Sequence, residues 1–149
     1  MSTYDERLLD LGARASDIIT EAADLDGDLR DLVYTTVLAA DFEYQVKNGG
    51  FEQLIHNAGT ERLEQYSSLL SAVNAPVALS YYRRVIARCA EDLEDFERFM
   101  ATYPAEPTKL GIDIMQIGIE YLTGGVPFAS EIGDFMDHAE ASLPPKMSP

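Results

Sequence analysis

Residues 29–59 read LRDLVYTTVLAADFEYQVKNGGFEQLIHNAG, a long apolar run cut by two glycine stops. Leu29, Leu32, Val33, Val37, Ala40, Phe42, Tyr44 and Val46 cover most of the circumference of a helix over about 29–47, which places that helix at the centre of a core. Asn48-Gly49-Gly50 must end it, because glycine reaches the left-handed backbone needed just past a helix C-terminus without a Cβ penalty. A short helix over about 51–57 follows, and Asn57-Ala58-Gly59 stops the chain again. Read physically, this is a corner: Phe51 anchors the reversal in the core, while Gln53 and Asn57 can satisfy backbone groups freed at the helix ends.

Helical spacing continues on both sides. Upstream, Leu8, Leu11, Ala15, Ile18, Ala22 and Leu25 recur at steps of three and four, predicting a first helix over about 3–24. The turn at 24–28 offers Asp28 as N-cap of the second helix. Downstream, Thr60 caps a helix lined by Leu63, Tyr66, Leu70 and Val73. Asn74-Ala75-Pro76 then opens one long helix that keeps its phase through Val77, Tyr81, Val85, Cys89, Leu93, Phe96 and Met100. Tyr103-Pro104 and Pro107 break the pattern. Leu110, Ile114, Ile117 and Tyr121 fit a further helix, although the isoleucines at 112, 114, 117 and 119 would also suit a strand. Helix is the reading adopted. Gly124-Gly125 turns the chain, and Pro127 opens a final helix with Ile132, Phe135, Met136, Ala139 and Leu143 inward. The fold class is therefore all-α: a compact single-domain bundle of about six to seven helices over 1–149, with 142–149 a loose tail.

An apolar share of 46% is that of an ordinary globular domain. Charge is the unusual feature, with 26 acidic and 11 basic residues leaving −15. Nucleic acid and anionic membrane surfaces are repelled by such a chain at long range. The acids are concentrated: residues 1–31 carry a net −6, residues 91–97 five acids and no base, and residues 113–140 six acids and no base. The N-terminus lacks a basic and then apolar leader, no apolar window reaches membrane-spanning length, and a cytoplasmic location is expected. An acid-rich surface with only three lysines also suits high-salt cytoplasm or plain solubility.

The single cysteine, Cys89, excludes an internal disulfide and lies on a buried stripe with no basic activation, as inert thiols do. His56 follows Glu52 by one helical turn, but a zinc site needs three or four ligands. His138, beside Asp134 and Asp137, reads as a solvated ion pair. No phosphate loop, nucleophile triad or zinc motif is present. Tyr81-Tyr82-Arg83-Arg84 with Arg88 is a basic and aromatic patch that suits a partner, a second subunit or internal salt bridges. Neither catalysis, a cofactor nor a metal is expected.

One local signature remains. Glu43, Val46, Asn48, Gly49, Gly50, Phe51, Gln53, Asn57 and Gly59 read E-x-x-V-x-N-G-G-F-x-Q-x-x-x-N-x-G. In this motif, and best over about residues 29–90, the chain resembles a family of small bacterial proteins, mostly of unknown function. Its characterised representative is an acidic all-helical dimer that mimics DNA by occupying the DNA-binding surface of a transcription regulator. The resemblance implies a basic DNA-binding protein as partner, no direct contact with nucleic acid, and a homodimer.

Helical carboxylates four residues apart are about 6 Å apart along the axis, comparable to phosphates along one strand. Asp10, Asp17, Glu21 and Asp24 on the first helix, Glu91, Glu94 and Asp95 on the long one, and Asp134 and Asp137 on the last have such spacing and are the candidate phosphate-mimicking groups. Two other functions stay open from sequence: an immunity or antitoxin protein covering a basic toxin, and a small-ligand or metal-dependent enzyme at the corner of Glu43, Gln53, His56 and Asn57.

Overall fold

The computed structural model describes residues 4–22 and 24–144, and none of these is in a strand. Helix α1 (Glu6–Glu21) is capped by Asp5, whose carboxylate accepts the Leu8 N–H at 2.9 Å. Leu8, Leu11 and Ala15 are buried as their spacing predicts. Gly12 has a role that periodicity does not show. A Cβ there would stand 2.3 Å from the Ala40 Cβ, so α1 and α2 meet through two small residues.

Helix α2 (Gly27–Ala72) is the trunk of the molecule, packing against α1 and against most of the helices that come after it in the chain. It leaves helical geometry at Gly49 (φ −145°, ψ 15°), Gly50 (φ 76°, ψ −175°) and Gly59 (φ 66°, ψ 177°). The expected stops thus fall where the sequence places them, dividing α2 into segments 27–48, 51–58 and 60–72. Positive φ with extended ψ is essentially glycine territory, which explains why Gly50 and Gly59 in particular occupy these breaks. At the start of α2, Asp26 rather than Asp28 holds the N-cap position, with Asp28 in the first turn.

The single long helix expected over 74–100 is two helices, α3 (Pro76–Glu91) and α4 (Leu93–Thr102). Asp92 separates them: its backbone is extended (φ −148°, ψ 98°) and its carboxylate accepts the Asp95 N–H at 3.2 Å. Aspartate competes with helix continuation by bonding nearby backbone in this way. The break shifts the phase, and Leu93, expected inside, is 68% exposed. Asn74 is not the cap of α3 either; it sits at φ 61°. Glu131, from far along the chain, accepts the Val77 and Ala78 N–H groups at 2.7 and 2.9 Å and caps that helix instead.

The segment after the proline loop is a helix, α5 (Lys109–Thr123), capped by Thr108. Its inner face is Leu110, Ile114, Gly118 and Tyr121, with Ile117 half-buried. The final helix expected from Pro127 is split into α6 (Phe128–Glu131) and α7 (Gly133–Ser142). The expected loose tail begins too early, because Leu143 is buried and Arg14 bonds the Pro144 carbonyl at 2.8 Å and the Leu143 carbonyl. The remainder of that tail, 145–149, lies outside the described residues.

The core collects residues from all seven helices. At its centre the Phe42 ring lies 4.7 Å from Phe128 and 6.3 Å from Phe51, and Phe51 is 5.6 Å from Tyr121. Aromatic groups at such separations in tilted and edge arrangements contribute beyond the area they bury.

Candidate functional site

The glycine corner is packed. Gly50 delivers Phe51, fully buried, into the aromatic centre. Outside that anchor runs a chain of side-chain amides. Asn48 donates to Gln53 Oε1 at 3.0 Å, and Gln53 and Asn57 both donate to Gln45 Oε1, at 2.6 and 3.0 Å. Tyr4 closes the chain with its hydroxyl on Asn48 Oδ1 at 3.0 Å. Gln53 and Asn57, expected to satisfy freed backbone groups, instead lock onto each other through Gln45. Gln45 was missed, and its position four residues after Asp41, which accepts from it at 3.3 Å, was the available signal.

Glu43 belongs to the opposite side of this corner. Its side chain is 1% exposed, and Oε2 accepts the Asp5 N–H at 2.7 Å and Lys47 Nζ at 3.3 Å. It therefore ties the start of α1 to α2. His56 turns to aromatic neighbours, its ring 5.2 Å from Tyr103 and 6.3 Å from Phe99. The set Glu43, Gln53, His56 and Asn57 is thus divided among an ion pair, an amide chain and an aromatic contact. No group of three or more metal-ligating side chains is gathered among the described residues.

Cys89 is buried on α3, and burial pushes its thiol up to about 11. Only the thiolate attacks. The expected result is labelling by a disulfide reagent at pH 8 roughly a hundredfold slower in the folded chain than in denaturant. A folded-state rate close to the denatured one would show the α3 stripe to be open.

The candidate carboxylates fall into two groups. Arg7, Asp10, Arg14, Asp17 and Glu21 share one flank of α1, by their steps of three and four. That flank borders α7: Arg7 pairs with Asp137 at 2.7 Å and Glu140 at 3.0 Å, and Arg14 bonds the carbonyls that end α7. Asp10, Glu21, Asp24 and Asp134 are exposed and make no ion pair among the described residues. Asp137 is also exposed but is held by Arg7. Asp17 is half-buried on the same flank.

The second group lies at the α3–α4 junction. Glu94 is exposed, and Glu91 is exposed with Arg88 at 3.5 Å. Asp95 does not fit the role expected of it. It is 7% exposed, accepts the Leu110 N–H at 3.1 Å, and lies 3.8 and 3.7 Å from Arg88 and Arg98. Its carboxylate joins α4 to α5 and faces no partner. Arg88 also holds Asp113 at 2.7 Å, and Arg84 holds Glu120 at 2.9 Å. Arg84 and Arg88 are therefore engaged with α5, one of the uses expected for the basic patch of α3, while Arg83 is exposed.

α1 packs on α2 and α7, whereas α4 packs on α3, α5 and α2. The carboxylates thus sit on separate helix pairs that share α2 as a neighbour. The larger set without ion pairs is on α1 and α7.

The model of the DMP19-like protein family matches residues 15–122, most of the chain and all of the glycine corner. No curated protein and no solved structure matches it. No helix among the described residues is long and apolar enough to cross a membrane.

Proposed function

The chain belongs to the DMP19-like protein family, a family of DNA mimics, and from that premise we propose that it is a non-enzymatic binding protein that imitates duplex DNA and occupies the DNA-binding surface of a basic protein, such as a transcription regulator. The observation that carries this reading is the set Asp10, Glu21, Asp24 and Asp134 on α1, α7 and the turn after α1, exposed and without ion pairs among the described residues. α1 itself is a rigid mount, fixed by its Asp5 cap, by the close Gly12–Ala40 approach and by two arginines anchored on α7. Fixed charge costs little further ordering on binding, and a basic groove built for phosphates gains by meeting it.

The test is competition. Proteins captured on the immobilised chain at low salt are eluted by graded salt and assayed for duplex binding. Elution at moderate ionic strength, and displacement of each partner from DNA by the chain, are expected. Retention that ignores salt, or a complex that still takes up duplex, would sink the proposal.

The same chain is proposed to act as a homodimer. Ile112, Met115, Ile119, Leu122 and Val126 lie at steps of three and four along and just beyond α5, and each is 39–52% exposed. Such a stripe is the narrow a/d seam of a helix pair. The flanking acids Asp113 and Glu120 are already paired with Arg88 and Arg84, so this face is the one where two copies of a strongly acidic protein meet with least repulsion. Within α5, an antiparallel pairing sets Met115 against Ile119 and Ile112 against Leu122, with Val126 beyond the turn at Gly124-Gly125, which is self-complementary as a twofold interface requires. Sedimentation should find a dimer at micromolar concentration, and Ile119→Glu should sediment as a folded monomer. An unchanged dimer in that variant would move the seam elsewhere.

A further inference from the structure

Between α2 and the α5–α6 connection lies a cavity of about 90 Å³ lined by Phe42, Glu43, Val46, Lys47, Tyr121, Leu122, Gly125, Val126, Pro127 and Phe128. Most of these residues are apolar, and the polar ones are unusual. Tyr121 is 5% exposed, and its buried hydroxyl has no hydrogen-bond partner among the described residues. Burial and the carboxylates of Glu131 and Glu43 hold that phenol well above its ordinary range, so it remains a donor at all physiological pH. A buried polar group left unpaired costs stability. Glu43 also lines the cavity, and among the described residues its hydrogen bonds fall on Oε2, with none on Oε1.

We propose that this cavity is a binding site for a small neutral amphiphile, a primary amide or alcohol on a chain of three or four carbons. Its head accepts from the Tyr121 hydroxyl and donates to Glu43 Oε1; its tail lies against Phe42, Val46 and Phe128. Neutrality follows from the fixed charges. Lys47 stands 3.3 Å from Glu43, so the wall is balanced, and an ion of either sign would enter against an uncompensated desolvation cost. Size follows from volume: a cavity of about 150 Å³ holds the six non-hydrogen atoms of benzene, so about 90 Å³ takes the amide head and the first carbon or two, and the end of the chain passes out beside the exposed Leu122 and Val126. Leu122 and Val126 belong both to this cavity and to the exposed α5 stripe. The site shares only Glu43 with the corner considered from sequence and is independent of the DNA-mimic reading.

The experiment is a titration of the full chain with butyramide, followed by amide chemical shifts, with butyrate and butylammonium as matched ions. Saturable shifts confined to the cavity-lining residues are expected with butyramide at millimolar concentration, and at least tenfold weaker binding of either ion. Tyr121→Phe keeps the ring and deletes the unpaired hydroxyl. Its thermal midpoint should be unchanged or higher, while butyramide binding falls about five- to tenfold. Val126→Phe, which narrows the cavity from its exposed side, should abolish the shifts without touching the hydroxyl. No saturable shift, equal binding by Tyr121→Phe, equal binding of the ions, or an ordered water alone on Tyr121 would each overturn the proposal.

Discussion

Phe51→Ala lowers the free energy of unfolding by about 3–5 kcal/mol, the range for truncating a fully buried phenylalanine to alanine, and lowers the thermal midpoint by roughly 10 °C. The size of the effect comes from where Gly50 puts the ring. Phe51 is fully buried and meets Phe42, Tyr82 and Tyr121 with centroids 5.6–6.4 Å away. Truncation empties the meeting point of α2, α3 and α5, and three large aromatic neighbours, fixed on the first segment of α2, on α3 and on α5, cannot collapse into the space. Denaturant unfolding checks this: the midpoint falls while the slope stays near the wild-type value. Phe51→Leu, which refills most of the volume, should lose only about 1–1.5 kcal/mol. A loss below about 1 kcal/mol for the alanine variant would mean that the corner does not organise the core.

The second large effect concerns partner binding. Replacing Asp10, Glu21, Asp24 and Asp134 together by their amides is expected to weaken partner affinity about a hundredfold at low salt, on the basis of roughly 0.5–1 kcal/mol for each exposed charge. Helix content and thermal midpoint should barely move, because none of the four makes an ion pair among the described residues. Most of the loss should lie in the association rate and should shrink as salt is raised. The control is the other helix pair, Glu91→Gln with Glu94→Gln. If α1 and α7 carry the partner surface, this second variant binds within a factor of about three of the wild type. A reversed result would transfer the surface to the α3–α4 junction, and two silent variants would remove the electrostatic mechanism altogether. Arg7→Gln adds a further measure: it releases Asp137 and Glu140, and affinity should rise if the α1–α7 flank is the one that meets a basic groove.

Much of the fold was legible before any coordinates. The stops at Asn48-Gly49-Gly50 and Gly59 were read correctly because a glycine requirement is local: it depends on φ and ψ of one residue and not on distant neighbours. α5 was recognised despite four isoleucines because the spacing of Leu110, Ile114, Ile117 and Tyr121 outweighed β-propensity. The break at Asp92 was not recognised. An apolar stripe continued in apparent phase through Leu93 and Phe96, and only the capping bond to the Asp95 N–H and the new direction of α4 distinguish a junction from a continuous helix.

The candidate surface was less legible than the fold. Regular spacing marked nine carboxylates as equivalent, and the structure separates them sharply: Asp95 is buried, Asp17 is half-buried, Asp137 and Glu91 are exposed but paired, and Asp10, Glu21, Asp24, Glu94 and Asp134 are exposed. The amide chain around Gln45 and the empty-handed hydroxyl of Tyr121 left no mark in the linear pattern, since neither a glutamine between motif positions nor one tyrosine among eight stands out in type or spacing.

The linear chain by itself determined the helices, the glycine corner and the strong negative charge, because periodicity, backbone freedom and composition are properties of neighbouring residues or of simple counts. Tertiary structure alone decided which carboxylates are available to a partner. Arg7 neutralises Asp137 from 130 residues away, and Coulomb attraction depends on separation in space rather than on order along the chain.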